Sequence, residues 1–219
     1  MWDEATLSML VQGVGETLYM TIVSTFFAYL IGLLIGIVLV TSAKDGIRPC
    51  LWLYKILDVI VNLTRSVPFL ILLIAVIPFT RWVVGTSIGS TATIVPLVLA
   101  AAPFVARLVE SSIKEVDSGI IEAAQSMGAS SMQIIWKVML PEARPSLIVG
   151  SAIATTTILS YSAMAGIVGG GGLGDIAIRF GYYRYQYDIM LVTVILLVII
   201  VQILQEVGMK AAKIGDKRK

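Results

Sequence analysis

The chain has 219 residues, of which 58% are hydrophobic and 14% charged, with a mean hydropathy of +0.93. A soluble domain of this size does not need so much apolar surface, so the composition predicts a membrane protein with several spans. The formal net charge of +2 is too small to indicate a nucleic-acid partner. The absence of histidine and the single cysteine, Cys50, give no reason to expect a metal site, a cofactor site or an intrachain disulfide.

Five apolar stretches are each close to the ~20 residues that cross the hydrocarbon core of a bilayer. We expect spans at about 17–40, 56–80, 88–109, 147–168 and 189–207. We find no internal repeat and no linker that would separate a second domain. The sequence therefore predicts an all-α polytopic fold in one transmembrane domain, 13–207, followed by a basic cytoplasmic tail, 208–219.

The basic residues predict which side of the membrane each loop faces, because lysine and arginine concentrate in cytoplasmic loops. With the N-terminus outside, twelve basic residues near span ends lie inside and three lie outside. Those inside are Lys44, Arg48, Lys55, Arg107, Lys114, Lys137, Arg144, Lys210, Lys213, Lys217, Arg218 and Lys219; those outside are Arg81, Arg179 and Arg184. The reverse orientation would invert this ratio, so we expect the N-terminus outside and the C-terminus inside.

The polar stretch 117–145 separates the third and fourth spans and is predicted to form a cytoplasmic hairpin of two short helices. Asp117 or Ser118 can cap the first helix, and Gly128 can end it in a left-handed turn. Ser130 with Gln133 makes a capping box for a second helix, which has an apolar face and should end at a proline. That face consists of Met132, Ile135, Trp136 and Met139, and the proline is Pro141.

Two interpretations of the hairpin are open from these features alone. It is either a solvated helical loop or a docking element for a soluble partner. A resemblance favours the second. Glu122-Ala123-Ala124, Gly128 and Val138-Met139-Leu140-Pro141 resemble the EAA loop of ABC-importer permeases, whose pattern is E-A-A, three residues, Gly, nine residues and I-x-L-P. The one departure is Val138 in place of isoleucine. The resemblance implies a coupling helix that seats on a cytoplasmic ATPase subunit through Glu122, Ala123, Ala124, Gly128, Leu140 and Pro141.

A charged stripe lies on one face of the second predicted span, where Asp58, Asn62 and Arg65 recur at helical spacing. A charge inside a span costs about 2.5–3.5 kcal/mol on insertion scales and usually faces protein or water. Either Arg65 reaches back to the cytoplasmic surface, or the stripe faces the mouth of a pathway or the coupling hairpin.

The fourth predicted span is rich in hydroxyl groups, which indicates a helix that lines a polar pathway. The hydroxyl residues are Ser151, Thr155, Thr156, Thr157, Ser160, Tyr161 and Ser162, and Ser151, Thr155 and Ser162 share a face. Each hydroxyl could instead bond to its own helix. Met164 is the one large flexible side chain among small neighbours, so it is either a gate residue or ordinary helix packing.

The run 169–174, GGGGLG, satisfies the spacing G-x-G-x-x-G, but it follows a span rather than a strand and so is weak evidence for nucleotide binding. We expect it to form a tight, flexible extracellular turn. The sequence has no G-x-x-x-x-G-K-[ST] motif, so any ATP must be hydrolysed by a separate subunit. The chain itself is not expected to be an enzyme.

The resemblance extends over 13–207. The segments RSVPFLILL, IPFTRWVVGTSIG, AAPFVARLVE, EAAQSMGAS and YSAMAGIVGGGGLGD together resemble a methionine-type ABC importer permease. This implies a type I importer fold, a homodimer in the bacterial cytoplasmic membrane, two ATP-binding subunits and an external substrate-binding lipoprotein. The alternatives are a permease for another amino acid, a dipeptide or a phosphonate, and a channel or secondary transporter, which would be expected to contain inverted repeats.

Overall fold

The first helix of the protein is much longer than its predicted span. The structure is a computed structural model that describes residues 3–215; Lys217, Arg218 and Lys219 of the predicted tail lie outside the described residues. Helix α1, Glu4–Ser42, begins at Asp3, whose carboxylate accepts the backbone N–H of Thr6 at 2.9 Å. Its 39 residues exceed the predicted 17–40 because a helical apolar pattern also runs through the residues before Thr17.

The second predicted span, 56–80, is not one helix. The chain forms α2, Leu51–Ser66, and α3, Phe69–Ala75, which meet at an angle of 103°. Helix α4, Ile77–Val84, follows. Pro68 has no backbone N–H and disfavours the helical conformation of Val67, which is extended at φ −82° and ψ 125°. A proline inside a helix is expected to kink it, and here the break at Pro68 divides the predicted span into two separate helices.

The third predicted span, 88–109, corresponds to α5, Ser90–Lys114, which packs closely along α1. Gly32 of α1 lies against Val105, and Gly36 lies against Val109 one turn further along. An added Cβ at either glycine would lie 2.8 Å or less from α5 atoms. Small residues let helices approach in this way, so the Gly32–Gly36 pair serves helix packing.

The predicted hairpin contains α6, Ser118–Ser126, and α7, Ser131–Ile134. A π-helical turn, Ile135–Met139, then leads directly into α8, Leu140–Ala165. The prediction that Pro141 ends the second helix is wrong. The wide turn bonds the N–H of Leu140 to the carbonyl of Ile135, five residues back. Pro141 follows as the second residue of α8, and because its nitrogen carries no hydrogen, it donates no bond back into the π-helical turn.

After α8, a single 3₁₀ turn, Gly166–Val168, leads to α9, Gly172–Ile176, and a second π-helical turn, Ala177–Tyr182. Helix α10, Tyr187–Gly215, is the last. It extends the predicted fifth span, so residues 208–215 continue a helix instead of forming a separate tail.

The core lies where α1, α5 and α8 meet, around side chains such as Met20, Leu97, Val105 and Ile158. Apolar side chains also cover much of the outer surface, as expected for a chain that faces lipid or other subunits. Among residues 3–215, four helical segments are long and apolar enough to cross a bilayer, and the broken pair α2–α3 makes a fifth. The predicted all-α architecture of about five spans is confirmed.

Candidate functional site

The hydrogen bonds at its two ends define the shape of α6, the helix that the sequence predicts to be the coupling helix. The carboxylate of Asp117 accepts the backbone N–H of Gly119 at 2.6 Å, which confirms the predicted cap. Gly128 has φ +78°, which confirms the predicted left-handed turn. An added Cβ at Gly128 would meet nothing within 4 Å, so this position requires glycine for its backbone conformation and not for lack of space. After the turn, the N–H of Ala129 bonds back to the carbonyl of Ala124 at 3.1 Å.

The six predicted coupling residues divide into two groups by burial. Ala124 and Leu140 pack against the core of their own chain, and Glu122, Ala123, Gly128 and Pro141 are exposed. Helix α6 contains no fully buried residue. One side of the E-A-A sequence therefore anchors the helix, and the other side is free to face a partner.

The predicted apolar face of the second hairpin helix is only partly correct. Met132 and Trp136 are 63% and 60% exposed, while Met139 is buried. Ile134, which lies outside the predicted face, is also buried. A π-helical turn contains more residues than an α-helical turn, so it changes the spacing of the side chains that face the core. The buried residues here are 134, 139 and 143, instead of residues at the regular α-helical spacing. Met127, at 87% exposed, extends the exposed apolar surface beside α6. The Ser130–Gln133 capping box is confirmed.

The predicted stripe on the second span separates into two parts. Asp58 and Asn62 both bond to the guanidinium of Arg107 on α5. Arg65 lies one turn further along α2 and is exposed. Only two of the three predicted residues therefore belong to a common network, and Arg65 lies at the surface just before the helix break.

Six of the seven hydroxyl groups predicted to line a pathway donate to carbonyls of their own helix, α8. The donors are Ser151, Thr155, Thr156, Thr157, Ser160 and Ser162, with distances of 2.7 to 3.3 Å. Ser160 is exposed, Ser162 is buried, and Ser151 and Thr155 are intermediate. The three residues predicted to share a face are thus not equally accessible. Tyr161 instead stacks its ring on Phe69, with centroids 4.5 Å apart and planes 5° from parallel.

Met164 lies at the edge of an open apolar groove between α8 and α10. Its side chain is 48% exposed. The groove is also lined by Ser160, Ala163, Leu197 and Val201. A flexible apolar side chain at this edge can contact another chain. A seal between two subunits would need such a contact.

The glycine-rich run 169–174 is not a loose external turn. Gly172 donates its N–H to the carboxylate of Glu16 at 2.7 Å, and Leu173 donates to the hydroxyl of Thr17 at 2.9 Å. A Cβ at Gly174 would lie 2.2 Å from the carbonyl oxygen of Ala163. Most of this run is buried. The glycines allow α9 to pack directly against α1 and α8, and the predicted flexible turn is wrong in this respect.

Sequence reasoning missed the partners of Asp58. Arg107 was counted only as a basic residue near a span end and Glu110 was not considered, although the two lie three residues apart inside α5 and form an ion pair. A pair of opposite charges within an apolar helix is itself a signal, because isolated charges are rare there. The bonds from Glu16 and Thr17 to α9 span 156 residues and have no comparable local signal.

Comparison with known proteins decides the family. Residues 28–208 match the family described as "Binding-protein-dependent transport system inner membrane component". The chain belongs to this family. It is therefore a multi-pass component of the bacterial inner membrane, as the sequence predicted, and a transmembrane transport component rather than a catalytic enzyme.

Two curated relatives have similar lengths. The probable D-methionine transport system permease protein MetI of Vibrio cholerae is 48% identical over 217 residues, which cover 99% of this chain and 96% of that protein. The D-methionine transport system permease protein MetI of Escherichia coli is 50% identical over 164 residues, which cover 75% of this chain and 76% of that protein.

The backbone also matches solved structures. A chain of the MetNI methionine ABC transporter, in an inward-facing conformation, has a TM-score of 0.97 and 46% identity, with 99% of this chain and 100% of that chain covered. A chain of an amino acid ABC transporter has a TM-score of 0.73 at 21% identity and full coverage of both chains, which establishes a shared fold alone. The predicted importer permease fold is confirmed.

Proposed function

We propose that this chain is the permease subunit of an ATP-driven importer that carries methionine across the bacterial cytoplasmic membrane. The observation that carries this proposal is similarity over nearly the whole chain. A relative named as a probable D-methionine permease and a chain of a methionine ABC transporter each cover 99% of its residues at 46–48% identity. Such similarity includes the spans that must form a pathway, and not only the coupling hairpin common to many importers.

Two features support the proposed partners: the sequence has no phosphate-binding loop, and α6 has an exposed face. Because the chain lacks this loop, hydrolysis of ATP belongs to separate subunits, two for each permease dimer. The exposed face of α6, with Glu122 and Ala123, and the apolar side chains of Met127, Met132 and Trp136 form the proposed docking surface for these subunits. The excess of basic residues on the same side supports a cytoplasmic location for this surface. An external binding lipoprotein would deliver the substrate on the other side.

The pathway is proposed to lie beside α8, with Met164 as the gate. An exposed, adaptable apolar side chain can seal against its copy in a second subunit, and the small neighbours Ala163 and Ala165 leave it room to move. Hydroxyl groups of α8 such as those of Thr155 and Ser160 already donate their hydrogen to carbonyls of their own helix. Towards a substrate they can therefore only accept hydrogen bonds, which makes the surface polar without binding the substrate strongly. Weak binding suits a pathway through which the substrate must leave.

Substrate competition tests the proposed function against its alternatives. Cells that depend on this chain for uptake of labelled methionine should lose that uptake when excess unlabelled methionine is present. An equal excess of another amino acid, a dipeptide or a phosphonate should leave it unchanged. Competition by one of these solutes that matches or exceeds competition by methionine would assign the permease to that solute.

A further inference from the structure

A network of five side chains joins α2 to α5. Arg107 of α5 contacts the carboxylate of Asp58 and donates to the amide oxygen of Asn62 at 2.9 Å. Within α5, Arg107 also pairs with Glu110, and Lys114 donates to Glu110 at 2.7 Å. We refer to these five residues as the ionic network. Arginine can hold several oxygen acceptors at once, because its planar guanidinium has five N–H donors.

The ionic network is balanced in charge, and its centre is removed from solvent while its ends are not: Asp58 and Lys114 are 31% and 53% exposed. Two carboxylates face two basic groups, and the side chains of Glu110 and Arg107 are 5% and 18% exposed. A charge in such a place is tolerated only while its partners are present. The network therefore fixes the position of α2 against α5 more strongly than an exposed pair would.

The α5 residues of the ionic network lie on the last turns of that helix, and the chain continues from there into α6 of the proposed ATPase docking surface. Lys114 is the last residue of α5, and α6 begins four residues later at Ser118. Arg107 lies two turns before that end on the same continuous helix. A displacement of α6 when ATPase subunits close would therefore be carried by α5 to Arg107 and, through the salt bridge, to Asp58.

On its other side, the network leads to the proposed gate. Asp58 lies at the middle of α2 and Asn62 one turn later, on the helix that ends at the break before Pro68. Phe69, the first residue of α3, stacks on Tyr161 of α8. Tyr161 lies three residues before Met164 on the same helix. The helix break supplies a hinge, since Val67 and Pro68 are the residues that leave the helical conformation.

We infer that Arg107 is a positioning residue that couples movement of α6 to the gate helix α8, through Asp58, the hinge at Pro68 and the Phe69–Tyr161 stack. This inference rests on the proposed function. Arg107 touches neither substrate nor ATP in this role. Its loss should separate ATP hydrolysis from transport without removing either partner from the complex.

The test measures ATP hydrolysed per methionine moved by the reconstituted permease–ATPase complex. Arg107→Gln leaves Asp58 and Glu110 without their shared counter-charge, and the ratio should rise about 5-fold or more, the lower range of typical coupling between sites. Arg107→Lys keeps a positive charge between Asp58 and Glu110, and the ratio should stay closer to that of the parent than in Arg107→Gln.

A matched control exists in α10. Glu206 and Lys210 also form a salt bridge, at 3.1 Å, but both side chains are exposed and belong to one helix. Lys210→Gln should leave the ratio unchanged. If Arg107→Gln assembles and retains the parent ratio, or if Arg107→Lys assembles and raises the ratio as much as Arg107→Gln does, the inference is wrong.

A milder variant covers the case in which Arg107→Gln does not assemble. Asp58→Asn removes one charge at a position whose side chain is 31% exposed, with little change in volume. An assembled Asp58→Asn complex with a raised ratio supports the inference, and one with a parental ratio overturns it. Failure of the parent complex to move methionine would instead refute the proposed function, so the two failures are distinguishable.

Discussion

Gly36 of α1 lies so close to Val109 of α5 that a Cβ on Gly36 would be 2.6 Å from the Cβ of Val109. The same added atom would be 2.8 Å from the carbonyl oxygen of Ala106. Separations this short occur in no relaxed structure, so the two helices would have to move apart. Because α5 leads into α6, the spacing between α1 and α5 affects both the fold and the position of the proposed docking surface.

Gly36→Ala should therefore lower the stability of the purified protein, since overpacking costs about 1–3 kcal/mol. Gly15→Ala is the matched control on the same helix, because an added Cβ there meets nothing within 4 Å. That control should be neutral or stabilised by up to about 1 kcal/mol through helix propensity. Thermal unfolding in detergent measures both. Equal midpoints for the two variants would contradict the close packing of α1 and α5.

Gly128→Val should weaken assembly with the ATPase subunits. A β-branched residue at φ +78° stores strain of roughly 1–3 kcal/mol, which the turn can relieve by changing the direction of α6. Gly128→Asn is the control, because asparagine tolerates the left-handed conformation best among larger residues. Co-purification of the ATPase should fall for valine and be largely retained for asparagine. Normal assembly and import by the valine variant would show that the turn does not set the docking geometry.

Met164→Ala should make the resting complex leaky to small solutes, or raise ATP hydrolysis per methionine moved, because the seal loses its largest side chain. Ile195→Ala is a suitable control, since Ile195 of α10 is similarly exposed at 47%. Vesicle leakage and the hydrolysis ratio are the measurements. If vesicles with Met164→Ala are as tight and as well coupled as the parent, Met164 is ordinary surface packing and the gate lies elsewhere.

Cys50 should be labelled by a membrane-impermeant maleimide only after cells are opened. It is exposed and is the single cysteine of the chain, and it lies in the loop between α1 and α2 that we expect to be cytoplasmic. Thr86→Cys in a Cys50→Ser background is the opposite control. Thr86 is exposed in the loop between α4 and α5, which should be external, so it should react in intact cells. Reversed labelling of the two positions would overturn the orientation.

Local patterns were sufficient to predict most of the secondary structure. Long apolar runs predicted the spans, and short-range capping chemistry predicted the turns at Asp117, Gly128 and Ser130. These features depend on residues only a few positions apart, so they can be recognised directly in the sequence. The exposed and buried sides of Glu122-Ala123-Ala124, in contrast, depend on which face meets the core.

The errors arose where a proline or a distant contact decided the structure. Pro68 divides the second predicted span into two separate helices, while Pro141 ends no helix because a π-helical turn precedes it. The same turn altered the periodicity that had assigned the apolar face of the hairpin. The glycine run 169–174 was interpreted as a loop because its partners, Glu16 and Thr17, are far away in sequence. Tertiary contacts of this kind have no local signature.

Uptake by reconstituted vesicles tests the central claim most directly. The permease–ATPase complex would be oriented with its ATPase subunits towards a lumen that contains ATP, and the binding protein and labelled methionine would be supplied outside. We predict accumulation of methionine inside above its external concentration, and none when a non-hydrolysable ATP analogue replaces ATP. Equal uptake with the analogue, or equilibration without accumulation, would contradict the assignment of this chain to an ATP-driven methionine importer.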